Sequence, residues 1–222
     1  MGYHGKSPVE KALIETWNGS AWSVASSPGK GSASSLSGIS CLSASSCTAV
    51  GAYSASGLVS GTLVESWNGG TWSVAPSPNA GTAGNNSLSS VSCLSASFCT
   101  AVGSYFATDD AFQTLAETWN GSTWSVVSTP DTGSNPTDQG LQGVSCTSAS
   151  ACIAVGSYEI QAWNGSTWSL VPAPQLHGAP GVGQLNGVSC ASVTMCMNAG
   201  WHAGTEQARH PKTLTELGTS SG

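Results

Sequence analysis

The sequence predicts an all-β chain built from one repeated four-stranded sheet, and two motifs and one spacing predict it. The first motif is TLAETWNGSTWSVV, Thr114 to Val127, which recurs as LIETWNGSAWSV from Leu13, LVESWNGGTWSV from Leu63 and IQAWNGSTWSL from Ile160. The second is SGISCLSASSCTAVGAY, which recurs as SSVSCLSASFCTAVGSY, QGVSCTSASACIAVGSY and NGVSCASVTMCMNAGWH, ending at Tyr53, Tyr105, Tyr158 and His202. Trp17, Trp67, Trp119 and Trp163 mark the step between copies. That step falls in the range of about 40 to 50 residues per blade of a β-propeller.

In the first motif Leu115, Glu117 and Trp119 alternate with Ala116 and Thr118, the period of an extended strand. Asn120-Gly121 then supplies turn chemistry, and Trp124, Val126 and Ser128 resume the alternation. This is a β-hairpin, strands c and d of a module. The second motif reads as two short apolar strands, a and b, joined by a small-residue turn. In chain order the modules are strands c–d within 3–25, complete a–b–c–d modules at 37–76, 89–128 and 142–171, and strands a–b plus a partial c at 187–217. The expected whole is one domain over 1–222, a propeller of four blades in which the N- and C-terminal strands share a blade.

The 222 residues can bury a shared core, because each sheet covers its neighbour. Only 7% of residues are charged, the net charge is −6, and there are five Lys and Arg in all. Nucleic acid is therefore excluded as a partner, since a phosphate-binding stripe needs more cations. No segment has the length and apolarity of a membrane span. Eight cysteines form the pairs Cys41/Cys47, Cys93/Cys99, Cys146/Cys152 and Cys190/Cys196, one at each a–b turn. Cross-strand disulfides are the simplest reading, each adding roughly 2 kcal/mol by the chain-entropy relation. Zinc is the alternative, although C-x5-C is wider than the usual finger pair. Disulfides imply an oxidising compartment, and so an extracellular or cell-surface protein. The first residues lack a signal-peptide pattern. Tyr3 precedes Trp17 by the same interval as Tyr53 precedes Trp67, so the sequence is expected to begin inside strand b.

The a–b and c–d turns share one edge of such a sheet, and the b–c and d–a loops the other. Linkers such as Pro76–Gly81 and Pro130–Pro136 vary in length and are rich in Pro, Gly and Ser. Binding sites favour variable loops on a rigid scaffold, so the b–c/d–a edge is the candidate binding edge. Tyr158 to Trp163 is much shorter than Tyr53 to Trp67, so that module lacks a b–c loop.

The WNGSTWS turn resembles the kelch c–d hairpin and the Asp-box hairpin of sialidase-type propellers. The whole repeat is similar to uncharacterised secreted repeat proteins of actinomycete-like bacteria. Kelch modules carry a diglycine after strand b, where this chain has the single glycines Gly51, Gly103, Gly156 and Gly200.

Sialidase-like action needs an arginine cluster, and Arg209 is the one arginine. A glycosidase needs two separated carboxylates, whereas Asp109 and Asp110 are adjacent in one loop. No catalytic set, cofactor pattern or metal set is expected, His177, His202 and His210 being scattered over different segments. Glu15, Glu65, Glu117 and Glu216, with Gln161, recur at one position of strand c, which predicts a structural bond to a neighbouring amide or indole N–H. The Trp pairs predict packing between sheets. Asn18, Asn85, Asn120 and Asn164 match N-x-S/T, a match that turn chemistry explains for three of them. Tyr53, Tyr105, Tyr158 and His202, at the end of strand b, are the candidate ligand contacts, able to stack on a pyranose or to pack under a loop. The expected function is non-catalytic binding of a glycan or cell-envelope ligand. The alternative is self-association through the terminal strands.

Overall fold

The computed structural model describes residues 9–54, 60–81, 84–107, 111–130, 140–157, 159–172, 183–202 and 212–218. A hairpin of β1 (Ile14–Trp17) and β2 (Trp22–Ala25) comes first. Three four-stranded antiparallel sheets follow in chain order: β3 (Ala33–Ser43), β4 (Ser46–Ser54), β5 (Ser60–Trp67) and β6 (Trp72–Ala75); β7 (Ser87–Ser95), β8 (Phe98–Phe106), β9 (Phe112–Trp119) and β10 (Trp124–Val127); β11 (Leu141–Ser148), β12 (Ala151–Gly156), β13 (Ile160–Trp163) and β14 (Trp168–Val171). The last sheet has β15 (Gly183–Ser192), β16 (Met195–His202) and β17 (Lys212–Gly218).

One difference from expectation concerns the ends. The terminal strands do not share a sheet: β1 pairs with β2, and β16 pairs with β17 from His202↔Lys212 to Cys196↔Gly218. The segment around Thr213–Glu216 carries enough of the strand-c pattern to fill the slot beside β16 itself.

Strand a is longer than its motif, starting at Ala33, Ser87, Leu141 and Gly183, and it is bulged twice. The register slips between Leu36 and Gly38, Leu88 and Ser90, Leu141 and Gly143, and Leu185 and Gly187, and again beside each cysteine. The first bulge throws strand a across the glycine of strand b. A Cβ at Gly51, Gly103 or Gly156 would lie 2.0 Å from the carbonyl oxygen of Ser35, Ser87 or Gly140, and one at Gly200 1.8 Å from that of Gln184. This is why one glycine stands at that position in every module. The second bulge sets the cysteines opposite each other, and disulfides join Cys41–Cys47, Cys93–Cys99, Cys146–Cys152 and Cys190–Cys196.

Strand b of each complete sheet is buried on both faces, which accounts for its apolar run. Ala101 and Leu115 pack back on Val50 and Val64 of the sheet before, while Val102 and Ala116 pack forward on Leu141, Val144 and Ala154. Val155 and Ile160 meet Leu185 in turn. The a strands make the closest contact: β3 lies on β7, β7 on β11 and β11 on β15. Ser40 Oγ accepts the Cys93 N–H at 3.1 Å, Ser92 Oγ that of Cys146 at 3.1 Å, and Ser145 Oγ that of Cys190 at 3.0 Å. The serine of each Ser-Cys pair thus braces the next module.

Gly103→Ala should lower the unfolding free energy by about 3 kcal/mol in denaturant titration of unreduced protein, the upper range for forcing atoms into a packed site. Gly70→Ser, in a turn where sister modules carry Ser20, Ser122 and Ser166, should change it by less than about 0.5 kcal/mol.

Candidate functional site

At the a–b/c–d edge the Trp-Asn-Gly turn is a four-residue loop. Gly19, Gly69, Gly121 and Gly165 take φ of 92 to 98°. The asparagine itself does not; its side chain caps the loop, as Asn120 Oδ1 accepts the N–H groups of Ser122 at 2.9 Å and Thr123 at 3.0 Å. The first tryptophan locks this turn to its neighbour. Trp67, Trp119 and Trp163 each donate Nε1–H to a carbonyl of the a–b turn, of Ala44 at 3.0 Å, Ala96 at 2.9 Å and Ala149 at 3.0 Å. The paired rings sit 5.6 to 5.8 Å apart. Trp124, Trp163 and Trp168 are buried against the preceding sheet. With two turns bonded together and stapled, this edge is rigid.

The opposite edge holds the candidate ligand contacts. Tyr53 stands one residue before the end of β4, opposite Gly61, where a Cβ would lie 2.7 Å from the ring, so the glycine makes room for it. Gly31 of the d–a loop, at φ 70°, presses on the same ring, and Lys30 Nζ stands 4.1 Å from its centroid. The loop is pinned there by Ser32 N–H, which donates to the Ser54 carbonyl at 2.7 Å. Tyr105 sits opposite Gln113 and donates its hydroxyl to Gln113 Oε1, and a Cβ at Gly81, in the linker that precedes this sheet, would lie 3.1 Å from the ring. Both tyrosines thus pack under a loop, and that loop is the d–a connection. His202 holds the same place in β16, between Gly183 and Lys212. These residues belong to separate sheets, one per module. Tyr158, with Asp109, Asp110, His177, Arg209 and His210, lies outside the described residues. In the third complete sheet a tight turn replaces the b–c loop, Gly156 N–H donating to the Glu159 carbonyl at 3.1 Å.

Glu65 and Glu117 bond the preceding linker, Glu65 through a backbone amide as expected and neither through an indole, while the side chain of Glu216 lies outside the described residues. Glu65 is fully buried and accepts Ser27 Oγ–H at 2.9 Å and Gly29 N–H at 3.0 Å, both from the linker of the preceding module. Glu117 accepts Ser77 Oγ–H at 2.7 Å, and Gln161 donates Nε2–H to the Pro130 carbonyl at 3.0 Å. Each ties down the linker that precedes its own sheet. The signal for this was present in the sequence: Ser27, Ser77 and Thr129 all stand five residues past the second tryptophan and just before a proline. Glu15 in β1 is exposed.

The tethers are unequal. Glu65 gains three bonds, counting Ser27 to both oxygens. Glu117 keeps Oε1 without a partner, and burial pushes its carboxyl up to about 7 against the opposing effect of Ser77 and Thr62. Gln161 is the neutral version of the same side chain. Among the described residues no three His, Cys, Asp or Glu side chains gather as a metal set.

With the geometry in view, the fold finds its class. It is similar to the crystal structure of RRP9 WD40 repeats, at 12% identity and a TM-score of 0.50, over 81% of this chain and 52% of that one. It is also similar to YCF48 bound to D1 peptide, at 10% identity and a TM-score of 0.47, over 90% of this chain and 59% of that one. The chain spans just over half the length of these structures. No protein-family model matches the chain, and no curated protein does. The fold is that of a β-propeller repeat protein.

Because the folded Glu117 holds its proton up to about pH 7 and the unfolded chain releases it near 4.5, stability should fall as pH rises between those values. Glu117→Gln should flatten that decline and stabilise the protein above pH 7 by roughly 1–3 kcal/mol, read as unfolding free energy at pH 4, 6 and 8.

Proposed function

We propose that the protein is a non-catalytic extracellular binding module that recognises a glycan of the cell envelope through its b–c/d–a loop edge. One observation carries this reading: the connections that vary between modules all lie at that edge, on sheets stapled at the other. The described tethers, Glu65, Glu117 and Gln161, hold linkers to sheets, a structural task that supports the non-catalytic reading. The two acids are carboxylates of different sheets, a poor arrangement for glycosidase chemistry, which needs a facing pair. Four disulfides support the extracellular setting, since such bridges persist in oxidising compartments.

The tyrosines serve this surface from below. Tyr53 and Tyr105 pack under the d–a loops, and Lys30 Nζ, over the Tyr53 ring, is the cation this reading offers to the glycan. An envelope-glycan array is the direct test. Binding should be retained by Ser43→Ala, at the stapled edge, and reduced at least tenfold by Lys30→Ala together with Tyr53→Ala. Absence of binding to any glycan, or binding that is lost only with variants of the stapled edge, would sink the reading.

A further inference from the structure

Exposed large apolar side chains gather at the two ends of the stack of sheets. Leu13, Trp17, Trp22, Val24 and Ile39 lie at the first end, and Val193, Met195 and Met197 at the last. Ile39 is 55% exposed, whereas Val91 and Val144, at the same position of the next two modules, are 7% exposed. Those two have a complete sheet before them. Among the described residues only the β1–β2 hairpin lies in front of Ile39, and a groove of about 220 Å³ opens between β1 and β3, lined by Leu13, Ile14, Glu15, Leu36 and Ile39. Ile14 is buried, as Val64 is at the matching position of the next module. The hairpin therefore sits as strands c and d of a module should, and the groove is the place of that module's strands a and b.

The last sheet has the converse defect. β15 and β16 are strands a and b, and β17 puts Gly218 opposite Cys196. Complete modules put Trp67, Trp119 and Trp163 opposite Cys47, Cys99 and Cys152, and there the indole donates to the a–b turn. In the last module Val193 holds the place of the accepting residue, and glycine has no indole to offer it. Trp17 has the indole and is 50% exposed, and among the described residues no a–b turn accepts its N–H. Among the described residues the close packing of a strands runs from β3 to β15, and β15 has no such packing on β1 or β3.

We propose that the groove takes the β15–β16 hairpin of a second copy of this chain, with β1 of the first copy replacing β17 along β16. The register follows that of complete modules: Trp17 opposite Cys196, Glu15 opposite Asn198 and Ile14 opposite Ala199. The interface already repeated three times within the chain then continues between chains. Cys41 N–H donates to Ser189 Oγ, as the amides of Cys93, Cys146 and Cys190 donate to the preceding serine. Gly187, which has nothing within 4 Å of where its Cβ would be, comes to face Gly38, as Gly143 faces Gly187. The contact is head-to-tail, so it closes a ring of copies or extends as a filament. It leaves the b–c/d–a loops open and does not depend on the glycan reading.

Thr16 and Met197 become opposite neighbours in this register, as Ser66 and Thr48 are, and both are exposed in the single chain. Mild oxidation of a mixture of Thr16→Cys and Met197→Cys proteins should give a disulfide-linked dimer on a non-reducing gel that neither variant gives alone. Gly187→Leu enters open space in the single chain. It should keep the unfolding midpoint, abolish the cross-link in the same mixture, and hold the light-scattering mass at one chain across a dilution series in which the unsubstituted protein is larger. Cross-linking within one chain in the double variant Thr16→Cys/Met197→Cys would overturn the proposal, because the chain's own last module would then fill the groove. So would a single-chain mass for the unsubstituted protein at every concentration, an association that Gly187→Leu leaves intact, or equal cross-linking by either variant alone.

Discussion

At Gly51, Gly103, Gly156 and Gly200 strand a crosses strand b so closely that a methyl group has no room, and the module is arranged around that crossing. The bulge that produces it carries strand a out toward the sheet that follows. There its backbone packs on the neighbouring strand a, Gly38 against Ser90 and Gly143 against Gly187. Close approach of this kind brings a serine hydroxyl within reach of the next cysteine amide, and the same bond recurs at each of the three interfaces from β3 to β15. A larger residue at the crossing would push strand a away and loosen all of these contacts together.

Burial on both faces is the second consequence. Strand b sends alternate residues, such as Ala101 and Val102, into two different interfaces, so no sheet is stable by itself and each is defined by its neighbours. Polar groups at these interfaces have to find partners across them. Glu65, Glu117 and Gln161 do so by gripping the linker that enters their sheet, which couples the path of a loop to the packing of a core. The cost differs from module to module, because a carboxylate with bonds to both oxygens is well compensated and one with an unbonded oxygen is not. The glutamine avoids the charge.

Much of this was legible from residue patterns. The tryptophan-turn hairpin, the cysteine pairs at each a–b turn and the order of strands all follow from local rules, since a turn, a two-residue period and a short cross-strand loop each involve neighbours in sequence. Other features were not. Strand a runs up to four residues beyond its motif, because those added residues pair with strand b through a bulge that no alternation reveals. The glutamates bond linkers some forty residues upstream, and the tyrosines lie under the d–a loop, both being contacts between segments far apart in the chain.

The ends show where the division falls. By itself the sequence determined that one module is repeated, which residues turn and which pair within it, and that the first and last copies differ from the rest. Only the tertiary structure decided that β16 takes β17 as its partner instead of β1, and that Ile39 stays open while Val91 and Val144 are covered. The physical reason is that a strand pattern specifies which edges and faces need a partner, through hydrogen-bonding groups and apolar area, but several segments satisfy the same need. The choice among them rests on which one the stacked sheets bring within reach.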